Sequence, residues 1–317
     1  VEILLYLGAA DPAAWLAACA QHLPAARVRI WSPSEAREAQ AQVDYALLWK
    51  PPPALLQACS GARAIFNLGA GVDALLDLEQ RQPGVLPAGV PIIRLDDAGM
   101  AQQMTDYVCH AVLHYFRRFD DYARQQDLCE WRVVEPHARE TFHIGVMGLG
   151  QLGSRVAQGL RALDFPLRGW SRSPKELDGI QCYAGAGQFD AFLDGCKVLV
   201  NLLPNTPHTR DILNRHTFAR LAAPAYIVNV ARGVHLVEAD LLAAIAGQQI
   251  AGATLDVLRD EPLPPVHPFW HEPRIRITPH ISALTLPTDS VAQIAQKIAA
   301  LARGERVAGE VDPARGY

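Results

Sequence analysis

The chain has 317 residues, half of them hydrophobic, and 29 Lys and Arg against 33 Asp and Glu give a formal net charge of −4. That is enough apolar material for a substantial core and more length than one typical domain takes, which predicts two domains. No basic block or polylysine tail is present, so nucleic acid and membrane surfaces are excluded as expected partners and small molecules remain.

From Val1 the chain runs directly into EILLYL, with no basic region ahead of a long apolar stretch and no later run of about twenty apolar residues. Neither a signal peptide nor a membrane span is expected. Cys19, Cys59, Cys109, Cys129, Cys182 and Cys196 show no C-x-x-C spacing and read as reduced thiols of a cytoplasmic protein, with no metal site. Short apolar runs at residues 2–7, 27–31, 45–49, 64–69 and 91–95, separated by helical or irregular segments, predict a buried parallel α/β sheet.

A long helix is predicted from about Ala101, because Met104, Tyr107, Val108, Ala111, Val112, Tyr115 and Phe116 form a stripe at helical spacing; it is expected to bridge two domains. Runs at 143–148, 167–170, 198–203, 226–231, 252–257 and 274–278 predict a second sheet of the same kind. In the tail, Val291, Ile294, Ile298 and Leu301 make another helical stripe, ending at Gly304. The simplest way to bury it returns it to the first domain. The expected organisation is therefore residues 1–100 plus 282–317 as one domain, with 101–281 inserted as the other. The Pro-rich stretches KPPP (50–53) and EPLPP (261–265) read as loops.

Between the first strand of the second sheet and the next helix lies GLGQLG, Gly148 to Gly153. In that context Gly148 permits a tight turn, Gly150 lets the backbone approach a pyrophosphate, and Gly153 allows the helix to pack closely on the strand. The phosphates would rest on the amides of a helix N-terminus. The following strand ends in Ser171, Arg172 and Ser173, where an NAD site would carry Asp or Glu. A guanidinium flanked by hydroxyls suits the extra phosphate of NADP, which predicts NADPH over NADH; a solvated surface arginine is the plain alternative.

Three further residues follow predicted strands: Arg232 in NVARG, Glu261 in DEPLP and His280 in TPHIS. Residues just past the carboxyl ends of strands in an open α/β sheet can converge on a ligand. A planar, permanently charged, bidentate donor suits the carboxylate and carbonyl of a 2-oxo acid, and imidazole suits proton donation near neutral pH. A carboxylate behind the imidazole would fix the ring and favour its protonated form. Each residue alone has an ordinary structural explanation, but the trio together with the glycine loop points to hydride transfer.

GLGQLG, NLLPNTPHT, NVARG, LDV followed by DEPLP, and TPHIS occur in the order and spacing of the D-isomer-specific 2-hydroxyacid dehydrogenases. The chain resembles that family over essentially its whole length. The resemblance implies two Rossmann-like, doubly wound parallel sheets, flavodoxin-like in the substrate domain, with the NADP-binding domain inserted into it, and a homodimer. NLGAGVD (67–73) resembles the family's substrate-carboxylate loop, in which backbone amides around Ala70 and Gly71 meet the acid group.

Within the family, LLWKPP, HYFRRFDDY, WSRSP, ARGVHLVEADLL and the closing DPARGY resemble the glyoxylate/hydroxypyruvate reductase A branch. That likeness implies NADPH-dependent reduction of glyoxylate to glycolate and of hydroxypyruvate to D-glycerate. It also implies Trp49 at the substrate pocket, plain packing at a strand end being the alternative. Matched by position, it assigns Arg232, Glu261 and His280 to catalysis, with Arg232 also on the substrate. Cofactor contacts are implied at the loop residues Gly148, Leu149, Gly150, Gln151, Leu152 and Gly153, at Ser171 to Ser173, at Leu203, Pro204, Val230 and Ala231, and at Asp256. Ser282 stands where Ala or Gly is common. Other readings are a relative acting on phenylpyruvate or 2-ketogluconate, and a dinucleotide-sensing corepressor-like protein; the complete Arg, Glu and His set favours an enzyme.

Overall fold

Residues 1–32 and 43–312 are described in the computed structural model, and these described residues divide into two units, one within Val1–Gly99 and Thr285–Tyr317 and the other Met100–Leu284. Both carry a parallel sheet flanked by helices, as the alternation of apolar runs and helical stripes predicts. Among the described residues no helix is long and apolar enough to cross a membrane.

The first unit contains β1 (Glu2–Tyr6), β2 (Arg27–Ile30), β3 (Tyr45–Leu48), β4 (Ala64–Asn67) and β5 (Ile92–Arg94) in the order β2-β1-β3-β4-β5. Every residue of β3 and β4 is buried, which is why these strands read as unbroken apolar runs. The order is that of flavodoxin-like doubly wound sheets. The tail forms the helix Pro287–Ala302, whose Val291, Ile294 and Ile298 are buried and which packs against the helix Ala13–His22 of the same unit. Lys297 on that helix is also buried; its ammonium donates to Asp96 at 2.8 Å and to the Arg94 carbonyl at 3.0 Å, so the buried charge is paired. At KPPP, Pro53 already opens a helix, Pro53–Ala58, since a proline's fixed φ suits the first helical position.

The second unit contains β6 (His143–Met147), β7 (Leu167–Ser171), β8 (Ile180–Ala184), β9 (Cys196–Asn201), β10 (Ala225–Asn229), β11 (Ile250–Leu255) and β12 (Ile275–Ile277). Their order is β12-β11-β10-β9-β6-β7-β8, so the chain winds outward in both directions from the β6/β9 boundary. Ligands of such sheets bind beyond the carboxyl ends of the strands at that switch point. The strand β8 goes beyond the sequence expectation: it lies at the sheet edge, only Ile180 is buried, and IQCYA carries no apolar run. The helix Met100–Phe116 buries Met104, Val108, Ala111, Val112, Tyr115 and Phe116 of the stripe foreseen, leaves Tyr107 only half-buried, and packs along the helix Gln151–Arg161.

Candidate active site

The glycine loop joins β6 to the helix Gln151–Arg161. Gly148 has φ +95° and its N–H donates to the Trp170 carbonyl of β7 at 2.8 Å. A Cβ at Gly153 would overlap the Gly148 carbonyl, so this glycine is required by the close approach of helix and loop. Gly150 is different: a Cβ there meets no atom within 4 Å, and the helix start has no side-chain cap. Space and uncapped helix amides coincide at Gly150, and these residues therefore fit a dinucleotide pyrophosphate. Leu149 is buried, with its side chain toward Gly169, so only its backbone faces the loop's concave side. Gln151 and Leu152 begin the helix. Ser171 closes β7, and its hydroxyl donates to the Ser173 carbonyl at 2.7 Å, which folds the Ser171–Ser173 turn around an exposed Arg172.

Three buried polar residues that the sequence reading passed over organise the neighbouring strand ends. Asn201 ends β9 and Asn229 ends β10, directly paired in register. Asn201 Nδ2 donates to Asn229 Oδ1 at 3.0 Å and lies 2.9 Å from His235 Nδ1. With both Nδ2 hydrogens used in this way, His235 Nδ1 accepts. Asn229 Nδ2 donates to the Arg232 carbonyl at 3.0 Å, and the two Oδ1 atoms accept from the Leu203 and Ala231 N–H groups, each at 3.2 Å. All three side chains are fully buried, and the hydrogen bonds they make to one another and to the loop backbone offset the cost of that burial. Their effect is to clamp the Leu203–Pro204 loop to the segment Val230, Ala231 and Arg232. The available signal was an asparagine closing each of two apolar runs, VLVN and YIVN.

Arg232 precedes the short 3-10 turn Gly233–His235. A Cβ at Gly233 would overlap the Leu258 carbonyl, so Gly233 lets the Arg232 segment lie against the loop that carries Glu261. Glu261 Oε1 accepts from the Leu258 N–H at 3.0 Å, and Oε2 lies 2.9 Å from His280 Nδ1. Burial opposes ionisation of Glu261, but the hydrogen bonds from His280 and Leu258, with the charges of His280 and Arg232, outweigh it and hold the carboxyl below its ordinary value. Arg232, Glu261 and His280 thus form one electrostatic group within one unit.

His280 has φ +57°, a left-handed conformation uncommon for a residue with a side chain. Asp256, almost fully buried after β11, holds it there. The Asp256 carbonyl accepts from the His280 N–H at 2.9 Å, Oδ1 accepts from Ile281 N–H at 2.8 Å and Thr278 Oγ1 at 2.6 Å, and Oδ2 accepts from Ser282 N–H at 2.8 Å. Since Thr278 donates to the carboxylate, it accepts from the Tyr107 hydroxyl, 2.5 Å away. Burial pushes the Tyr107 phenol up to about 12, which keeps it a donor. From the sequence Tyr107 reads only as part of a helical stripe and Thr278 is not singled out, because their contact joins residues far apart in the chain.

In the other unit, Ala70 and Gly71 lie in the turn after β4, and Trp49 follows β3. The Trp49 ring packs against this turn, its nearest atom 2.5 Å from where a Cβ of Gly69 would lie. About a third of Trp49 remains exposed, and the Lys50 ammonium sits 5.5 Å from the ring centre.

Residues 109–282 match the D-isomer specific 2-hydroxyacid dehydrogenase, NAD binding domain. The chain is 53% identical to a glyoxylate/hydroxypyruvate reductase A of Serratia proteamaculans, with all of both chains covered. Among solved structures it is similar to a D-isomer specific 2-hydroxyacid dehydrogenase of Xanthobacter autotrophicus in complex with NADPH, at 37% identity and TM-score 0.92 over 99% of each chain. It is also similar to an NADPH-dependent glyoxylate/hydroxypyruvate reductase of Sinorhizobium meliloti in complex with NADP and sulfate, at 32% identity and TM-score 0.91 over 100% of each chain.

Proposed function

The chain belongs to the D-isomer specific 2-hydroxyacid dehydrogenase family, and on that premise we propose that it reduces glyoxylate to glycolate and hydroxypyruvate to D-glycerate with NADPH. The observation that carries the reading is the His280–Glu261 pair, under the influence of the Arg232 charge, in the unit that also holds the glycine cradle. NADPH, when bound, supplies the hydride for the substrate's carbonyl carbon. Arg232 holds the oxo acid through charge-assisted bidentate hydrogen bonds. His280, with Nδ1 committed to Glu261, presents Nε2 as the donor to the carbonyl oxygen as it gains negative charge. Glu261 fixes the ring and balances the charge of the protonated imidazole. Trp49 and the Ala70–Gly71 amides are assigned to the substrate side.

On this reading Met100–Leu284 is the cofactor unit, and the unit built from the two ends of the chain is the substrate unit. The protein is read as a cytoplasmic homodimer, a state favoured by the exposed apolar side chains of Leu128, Trp131 and Val133 and testable by sedimentation. The decisive experiment follows NADPH absorbance with glyoxylate, hydroxypyruvate, pyruvate, phenylpyruvate and 2-ketogluconate. Highest efficiency with the first two is expected. A preference for either of the last two would move the protein to another substrate class, and cofactor binding without turnover on any acid would make it a sensor.

Arg172→Ala should raise KM for NADPH by about 10-fold to 100-fold through loss of a charge-assisted phosphate contact, while leaving NADH kinetics unchanged. Equal effects on the two cofactors would remove Arg172 from the selectivity determinant. The Glu261 carboxyl titrates lower in the folded chain than in an unfolded one, so its contribution to stability is complete above the ordinary carboxylate range and is lost as pH falls through the folded value. The Tm of Glu261→Gln should therefore lie below that of the wild type at neutral pH, and the gap should close on acidification. A gap independent of pH would mean that the Glu261 charge contributes nothing to the fold.

A further inference from the structure

We propose that Asn67 and Arg94 are positioning residues that aim the backbone amides of the Ala70–Gly71 turn at the carboxylate of the oxo acid; this rests on the reductase reading and deepens it. Asn67, the last residue of β4, is 3% exposed. Its Nδ2 donates to the Gly69 carbonyl and to the Gly71 carbonyl, both at 2.9 Å. The Gly69 carbonyl also accepts from the Leu95 N–H at 3.2 Å, and Arg94 Nη1 reaches the intervening Ala70 carbonyl at 3.5 Å. Three consecutive carbonyls of the turn are therefore tied to donors on β4, on β5 and just beyond it.

A trans peptide sets its N–H opposite its C=O. Holding the carbonyls of Gly69, Ala70 and Gly71 fixes the N–H groups of Ala70, Gly71 and Val72 in the opposite sense, and among the described residues none of these three donates to a backbone carbonyl. Successive N–H groups presented in this way form a concavity for an anion. Arg94 adds a permanent positive charge to the same turn. Its own place is fixed by its N–H, which donates to Gly309 at 2.9 Å, and by its carbonyl, which accepts from Lys297 at 3.0 Å. Asn67 and Arg94 act on the substrate through the turn, by orienting it.

The test uses Asn67→Leu, which keeps the number and branching of the heavy atoms and removes the donor, and Arg94→Gln, which removes the charge at a partly exposed position. KM for hydroxypyruvate and the inhibition constant of oxalate, a dianion resembling the acid end of the substrate, should each rise about tenfold in Asn67→Leu and about threefold or more in Arg94→Gln, the scale of one or two lost hydrogen bonds. Turnover should stay within about twofold and the Kd for NADPH should not change. Unchanged KM and oxalate inhibition in both variants would overturn the proposal, as would an equal loss of NADPH affinity. If Asn67→Leu does not fold, Arg94→Gln decides alone. Calorimetric binding of oxalate to the NADP complex needs no turnover: oxalate binding that is weakened in the variants, in a wild type that reduces neither acid, would sink the reductase reading and leave this one standing.

Discussion

Replacing His280 with alanine should lower turnover of hydroxypyruvate by about 10³-fold while the Kd for NADPH stays within about twofold, the scale on which positioned proton donors act. The imidazole is set up for one task. Nδ1 is committed to Glu261, and the backbone is held in its left-handed conformation by the hydrogen bonds of Asp256 around it. Alanine removes the donor and leaves the glycine cradle untouched. Because a positive φ disfavours alanine as well, His280→Asn is the matching control: asparagine adopts this conformation more readily and offers no comparable acid. Rates measured by stopped flow should fall in both variants alike. Turnover within about tenfold of the wild type in either would reject His280 as the acid.

Arg232→Met should reduce kcat/KM for glyoxylate and hydroxypyruvate by about 30-fold to 4,000-fold, since truncating one partner of a desolvated, hydrogen-bonded charge pair costs about 2–5 kcal/mol. Arg232→Lys keeps the charge but not the planar fork, and an intermediate loss is expected. The two variants differ in a second respect. The Arg232 charge is one of the causes that hold the Glu261 carboxyl low, so in Arg232→Met that carboxyl titrates nearer its ordinary value, and in Arg232→Lys it does so less. Infrared or NMR titration of Glu261 would read this without substrate. Full efficiency in Arg232→Met would exclude the guanidinium from substrate binding.

The glycine loop, and the placement of Arg232, Glu261 and His280 beyond strand ends, were legible in the sequence because each depends on a local requirement. A tight turn before a helix needs glycines, and residues after the strand ends can converge once the strands are parallel. The strand limits were less legible, and three asparagines explain much of the difference. The runs at 64–69, 198–203 and 226–231 stop two residues early, at Asn67, Asn201 and Asn229. Each asparagine side chain bonds a backbone group two residues on, which replaces the ladder and turns the chain out of the sheet. Composition does not reveal this, since the runs remain apolar past the asparagine. The Asn201–Asn229–His235 clamp and the Tyr107–Thr278–Asp256 chain join residues separated by 28 to 34 and by 22 to 171 positions, so they emerge only from strand register and helix packing. The edge strand β8 was missed for the opposite reason: little of it is buried, and its pattern is weak.

The order of the seven-stranded sheet has an evolutionary consequence. The Ser171–Ser173 turn belongs to the β6-β7-β8 half, whereas Arg232, Glu261 and His280 follow strands of the β9-to-β12 half. With the roles proposed for these residues, selection for one reducing currency of the cell and selection for a chemical step would act on different wings of one scaffold. Changes on the two wings should combine multiplicatively, as independent sites do, leaving a lineage free to exchange its electron source without relearning its reaction.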